Sequence, residues 1–116
     1  MTVTIFHNPR CSKSRQTLEL LKEKGIEPTV VEYLKTPPTA EELQAIQAKL
    51  NMASPREMMR VKETEYKEQQ LGDDSVSDAQ LIDAMVNTPK LIERPIVLAN
   101  DKARIGRPPE SVLDIL

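Results

Sequence analysis

Thr4-Ile5-Phe6-His7-Asn8-Pro9-Arg10-Cys11-Ser12-Lys13-Ser14-Arg15 decides how this chain folds. Val3, Ile5 and Phe6 form an apolar run of strand type that halts at Asn8-Pro9. A helical pattern begins just beyond Cys11, the only cysteine in the sequence. A thiol at a strand-to-helix junction meets the unpaired N–H groups and positive dipole end of the helix, which favour its thiolate. Lys13, Arg15 and His7 stand close enough in sequence to add positive charge. Free cysteine more often packs as a small hydrophobe. The polar and basic residues on both sides of Cys11 tip the balance towards a reactive thiol.

Working outward, the helix is predicted from about Ser12 to Lys24, with Leu18 and Leu21 on its inner face and Gly25 as its stop. Thr29-Val30-Val31-Glu32-Tyr33-Leu34 then reads as a second strand. Strand, helix and strand in about thirty residues make a βαβ unit, a parallel pair joined by a right-handed crossover. Lys35-Thr36-Pro37-Pro38 breaks this pattern. Thr39 with Glu42 forms a capping box ahead of Leu43, Ile46 and Leu50. Ser54-Pro55-Arg56-Glu57 repeats the logic for a short helix through Arg60. Val61 to Asp74 is strongly charged, with Tyr66 and Leu71 as anchors and Gly72 as a stop. Ser77 and Gln80 make a third capping box before Leu81, Ile82, Met85 and Val86.

Sheet character resumes at Arg94-Pro95-Ile96-Val97-Leu98-Ala99. Asn100-Asp101-Lys102 is the turn, and Ala103-Arg104-Ile105-Gly106 returns as an antiparallel partner. Arg107-Pro108-Pro109-Glu110 ends that strand and starts a final helix carrying Val112, Leu113 and Leu116. The order is that of an α/β, thioredoxin-like fold: a four-stranded mixed sheet with a helical insertion, about residues 39–87, between βαβ and ββα halves of one domain. It brings the end of the first strand beside the start of the third, where Cys11 meets Arg94-Pro95. Pro95, directly before a strand, is a candidate cis-proline.

Composition narrows the function. Sixteen Lys and Arg against 18 Asp and Glu, a formal net charge of -2, offer no basic footprint for nucleic acid. At 3% aromatic residues, stacking platforms for single strands are unsupported too. One cysteine and one histidine rule against a Cys/His metal site, so no metal is expected. A lone cysteine without an internal partner fits a reducing compartment. No apolar segment approaches spanning length and the N-terminus enters a strand, so the expectation is a cytoplasmic chain with no membrane association. A monomer is expected.

The motifs His7-Asn8-Pro9-Arg10-Cys11 with Ser14-Arg15, Tyr33-Leu34-Lys35-Thr36-Pro37-Pro38, Arg94-Pro95-Ile96-Val97 and Gly106-Arg107-Pro108 together resemble the ArsC family of glutaredoxin-coupled arsenate reductases. The resemblance spans essentially the whole chain. It implies that Cys11 is the catalytic cysteine and that Arg60, Arg94 and Arg107 bind the oxyanion. It also implies that His7 helps lower the thiol pKa, and that Ser14 and Arg15 support the thiolate; Asn8, in the same loop, joins that supporting set. Arg10, Ser12 and Lys13 depart from the Cys-Gly-Thr-Ser-Arg type and match short members carrying Cys-Ser-Lys-Ser-Arg. The sequence also ends before the C-terminal extension of the longer enzymes.

The chemistry agrees with the residue types. Arsenate near neutral pH is a dianion that repels a thiolate, and guanidinium groups answer with permanent charge and a planar fork of donors. Arg56 and Arg104 read as solvated surface charges. Because Cys11 has no second thiol, and Ser14 stands where a dithiol motif has its other cysteine, the resemblance implies glutathione as co-substrate and glutaredoxin as partner, with no bound cofactor. Phosphatase-like arsenate reductases need an arginine six residues beyond the cysteine, where this sequence has Thr17. Two alternatives stay open: a glutathione-dependent thiol reductase of the same fold, and an Spx-like binding protein, the latter disfavoured by Ser14.

Overall fold

In a computed structural model of the chain, which describes residues 2–116, contacts gather into two compact units. One comprises the residues up to Thr36 together with Arg94–Leu116, and the other is Pro37–Glu93.

The first unit holds β1 (Thr4–Phe6), α1 (Ser12–Glu23), β2 (Thr29–Val31), β3 (Ile96–Ala99) and β4 (Lys102–Ile105). The strands lie in the order β2-β1-β3-β4, with β1 parallel to β2 and antiparallel to β3, and β3 antiparallel to β4. This is the mixed, thioredoxin-like sheet expected from the element order. Ile5 faces Val30 on one side and Val97 on the other, and Val3, Ile5, Leu21, Val97, Ala99, Val112 and Ile115 form its buried core. Burying that apolar surface is what holds α1 against the sheet.

α1 stops as predicted, by a Schellman motif. The amide of Gly25, at φ 76°, donates to Lys22 O (2.9 Å), and that of Ile26 donates to Leu21 O (3.0 Å). Ile26 then packs on the core that contains Leu21. β2 is shorter than the β-branched run suggested. The Glu32 carbonyl accepts the amides of Lys35 (2.9 Å) and Thr36 (3.0 Å), turning the chain before Tyr33-Leu34 can extend the strand. Asn100 and Asp101, at φ 54° and 62°, form the two-residue hairpin between β3 and β4. The last element is a 3₁₀ helix over Pro109–Ile115 rather than an α-helix. Its three-residue period buries Val112 and Ile115, leaving Leu113 and Leu116 half-buried.

The second unit holds α2 (Ala40–Lys49), α3 (Thr64–Glu68) and α4 (Asp78–Asn87), with 3₁₀ turns at Pro55–Met58 and Pro89–Leu91. All three predicted capping boxes are closed, at Thr39/Glu42, Ser54/Glu57 and Ser77/Gln80. Leu43, Ile46, Met58, Leu81, Met85 and Leu91 are buried here, whereas Leu50, the C-cap residue of α2, is only half-buried. Met59 and Ile92 form an antiparallel bridge, reinforced by Arg60 N–H to Leu91 O (2.8 Å) and Glu93 N–H to Met58 O (2.9 Å). Gly72 does not stop a helix: α3 ends at Glu68, and Gln70 takes the left-handed φ of 56°. Gly72 instead lies against the Tyr66 ring, where a Cβ would sit 3.4 Å from Cε1. Among the described residues no helix is long and apolar enough to cross a membrane.

Candidate active site

Cys11 is the N-cap residue of α1, in extended conformation, and is 9% exposed. Its amide donates to Asn8 O (3.0 Å) and its carbonyl accepts from Arg15 N–H (3.0 Å), so backbone bonds fix the thiol at the helix mouth. No acidic residue occupies the first turn of α1, which leaves the positive helix end uncompensated. Arg107, just past β4, brings Nη2 to 3.8 Å from Cys11 Sγ. Its Nε donates to the Arg94 carbonyl at 2.9 Å, tying Arg107 to the segment that leads into β3. The Nε and Nη1 atoms of Arg94 are themselves shielded from solvent. The first unit therefore places Cys11, Arg94 and Arg107 around one end of the sheet, where β1 stops and β3 starts.

The peptide bonds Arg94–Pro95 and Arg107–Pro108 are both cis; the sequence pointed only to the first. Gly106 explains how the end of β4 reaches the site. A Cβ there would stand 2.5 Å from Thr17 Oγ1 and 2.8 Å from Pro95 Cγ, so only glycine lets this strand end approach α1 and Pro95. The Gly106 amide donates to Pro95 O (2.9 Å), and Thr17, fully buried, donates through Oγ1 to Lys13 O (2.8 Å). The supporting roles of Thr17 and Gly106 were not visible in sequence, because buried threonine leaves no mark on hydrophobic periodicity.

The loop residues divide by role. His7 and Ser14 are buried, with His7 Nδ1 2.6 Å from Ser14 Oγ, and the Asn8 amide donates to the same oxygen at 3.0 Å. Arg15, exposed, donates from Nη1 to Pro9 O (3.0 Å), and the Arg10 amide donates to Asn8 Oδ1 (3.0 Å). His7, Asn8 and Ser14 thus share one hydrogen-bonded cluster behind the Cys11 loop, and Arg15 braces that loop at Pro9 and Cys11.

The expectation that His7 contributes positive charge needs correction. Burial pushes its imidazole below the ordinary histidine value; Glu32 opposes this, while Lys22 and Arg15 add to it. Burial thus disfavours the charged imidazole, and Nδ1 of His7 lies against Ser14 Oγ. The sign for stability follows: the unfolded chain takes up a proton more readily than the folded one, so stability rises with pH through this range. The His7 contribution is complete above the unfolded value, about 6.5, and is lost as pH falls through that value and the lowered folded one. Melting temperatures at about pH 5.5 and 7.5 should differ more for the native chain than for His7→Gln. Equal differences would remove this role.

Arg60 belongs to the second unit, where its Nη1 pairs with Glu63 Oε1 at 2.5 Å. Arg56, read from sequence as a solvated surface charge, is instead structural. Its Nε donates to Tyr66 Oη (3.1 Å) and its Nη2 to Leu71 O (3.0 Å), which anchors the charged stretch between the helices. Arg104 donates to its neighbour's carbonyl, Ala103 O, at 2.8 Å. Among the described residues no group of three or more His, Cys, Asp or Glu side chains gathers as a metal site.

The ArsC family model matches residues 6–115, spanning the cysteine loop, both arginine segments and the helical insertion. The chain belongs to the ArsC family. It is 62% identical to the Escherichia coli K12 protein YfgD over 114 residues, covering 98% of this chain and 96% of that one. It is 51% identical to an arsenate reductase of Haemophilus influenzae across all of both chains. An arsenate reductase from Vibrio cholerae superposes with a TM-score of 0.99 at 56% identity, covering 100% of this chain and 98% of the other. In this ArsC-family chain, a lone thiol at a helix N-terminus with a guanidinium at its sulfur is suited to attack an anionic electrophile.

Proposed function

We propose that this protein reduces arsenate to arsenite by a monothiol mechanism. The observation that carries it is the Arg107 Nη2 contact with Cys11 Sγ at 3.8 Å. It sets a permanent cation where a thiolate and an oxyanion must meet. Relatives at 51% identity and above named as arsenate reductases support the same reading. Arg94 and Arg107 hold the arsenate oxygens, Arg60 supplies the third guanidinium, and His7, Asn8, Ser14 and Arg15 steady the loop.

The Cys11 thiolate forms a sulfur–arsenic bond as one arsenate oxygen leaves, protonated, as water. A glutathione thiol then supplies the remaining sulfur. As(V) takes two electrons and departs as arsenite, while Cys11 and glutathione are oxidised to a mixed disulfide. Glutaredoxin, drawing on a further glutathione, returns Cys11 to the thiol. The net change is arsenate plus two glutathione to arsenite, glutathione disulfide and water. Glutathione is a co-substrate, and the cycle uses no bound cofactor.

A coupled assay tests this directly, with arsenate, glutathione, glutaredoxin, glutathione reductase and NADPH. The expected result is NADPH consumption that depends on arsenate. Turnover of a glutathione mixed disulfide with indifference to arsenate would replace the proposal with a thiol–disulfide reductase.

A further inference from the structure

In the second unit Thr39, Ser54 and Ser77 each close a capping box at a helix start. α3 is different. Its N-cap residue is Glu63, whose side chain makes no capping bond, although short Ser, Thr, Asp or Asn side chains are the ones that serve there. Glu63 turns instead to Arg60. Oε1 meets Arg60 Nη1 at 2.5 Å, and Oε2 lies 3.6 Å from Lys90 Nζ, which also pairs with Glu65 at 3.2 Å. The side chains of Arg60 and Glu63 are only 26% and 16% exposed. This is a shielded, connected pair rather than a surface ion pair of little consequence. The backbone of Arg60 is fixed as well, by its amide bond to Leu91 O (2.8 Å) and by Glu63 N–H to its own carbonyl (3.2 Å).

We infer that Glu63 is a positioning residue for Arg60, with Lys90 holding the second carboxylate oxygen. The inference rests on Arg60 binding the oxyanion. One guanidinium nitrogen is committed to Glu63, which holds the planar group in place before an anion arrives. An arginine ordered before the substrate arrives loses less freedom on binding it. The cap position carries glutamate because its carboxylate serves Arg60.

Steady-state kinetics over a range of arsenate concentrations test this, with circular dichroism showing each variant folded. Glu63→Ala should raise KM for arsenate about tenfold while kcat stays within about twofold. Glu63→Gln keeps an oxygen acceptor for Arg60 and should restore KM to within about threefold. In an Arg60→Ala background, Glu63→Ala should add no further change. An unchanged or lowered KM in Glu63→Ala overturns the inference, as does an equal loss in the Arg60→Ala background. If Arg60→Ala alone leaves KM unmoved, the oxyanion role of Arg60 fails and this inference falls with it. Absence of arsenate turnover in the native chain would instead sink the proposed function.

Discussion

Cys11→Ser should abolish arsenate reduction, lowering turnover by at least about 10³-fold to the level of the assay without protein. A serine hydroxyl is a poor nucleophile at neutral pH without a base at its oxygen. His7 is committed through Nδ1 to Ser14 at 2.6 Å. The electron count makes the loss complete. Cys11 is the only cysteine in the sequence, so no other protein thiol can form the sulfur–arsenic bond or share the oxidation. The fold should survive, because serine is slightly smaller than cysteine and the backbone bonds of residue 11 to Asn8 and Arg15 remain. A melting temperature close to native, with no arsenate-dependent NADPH loss, is the expected pair of results. Mass spectrometry adds a positive sign: the native chain, sampled with arsenate and glutathione but without glutaredoxin, should carry one glutathionyl group on Cys11. Residual turnover in the serine variant would move the chemistry off the thiol.

Much of this arrangement could be read from the sequence because the signals are local. Capping boxes, the glycine stop at Gly25 and the Asn100-Asp101 turn satisfy backbone donors or demand particular dihedral angles, and neighbouring residues suffice to decide them. The β-α-β and β-β-α order then leaves few ways to close a sheet. What escaped depends on approach between distant segments. Thr17 and Gly106 lie far apart in the chain, and only the gap of 2.5 Å that a Cβ would violate shows why position 106 is glycine. Arg56 and Arg60 sit four residues apart in a charged stretch and look alike in sequence. One is spent on Tyr66 and Leu71, the other is paired with Glu63. A charge pattern cannot distinguish an arginine that braces a loop from one paired with a neighbouring carboxylate. His7 errs for a related reason: its sign of action depends on burial, and a histidine among basic residues reads as a cation until its surroundings are known.

Arg107→Ala should lower kcat/KM for arsenate by about 10²–10³-fold, the usual cost of removing a group aimed at developing negative charge. Two contacts make this arginine more than a surface charge. Nε is held by the Arg94 carbonyl at 2.9 Å, and Nη2 reaches Cys11 Sγ at 3.8 Å. One planar group thus ties the segment before β3 to the thiol and keeps its charge beside the sulfur. Lysine can supply the charge but not this fork, since a single ammonium cannot reproduce two directed nitrogens on a rigid plane. Arg107→Lys should therefore recover only part of the loss, remaining about tenfold or more below the native chain. Alkylation of Cys11 by iodoacetamide at neutral pH separates the two duties. If the guanidinium favours the thiolate as well as binding arsenate, Arg107→Ala should alkylate several-fold more slowly even without arsenate. Loss of arsenate turnover with unchanged alkylation would confine Arg107 to the oxyanion. Native values in both measurements would leave the Cys11 contact without a function.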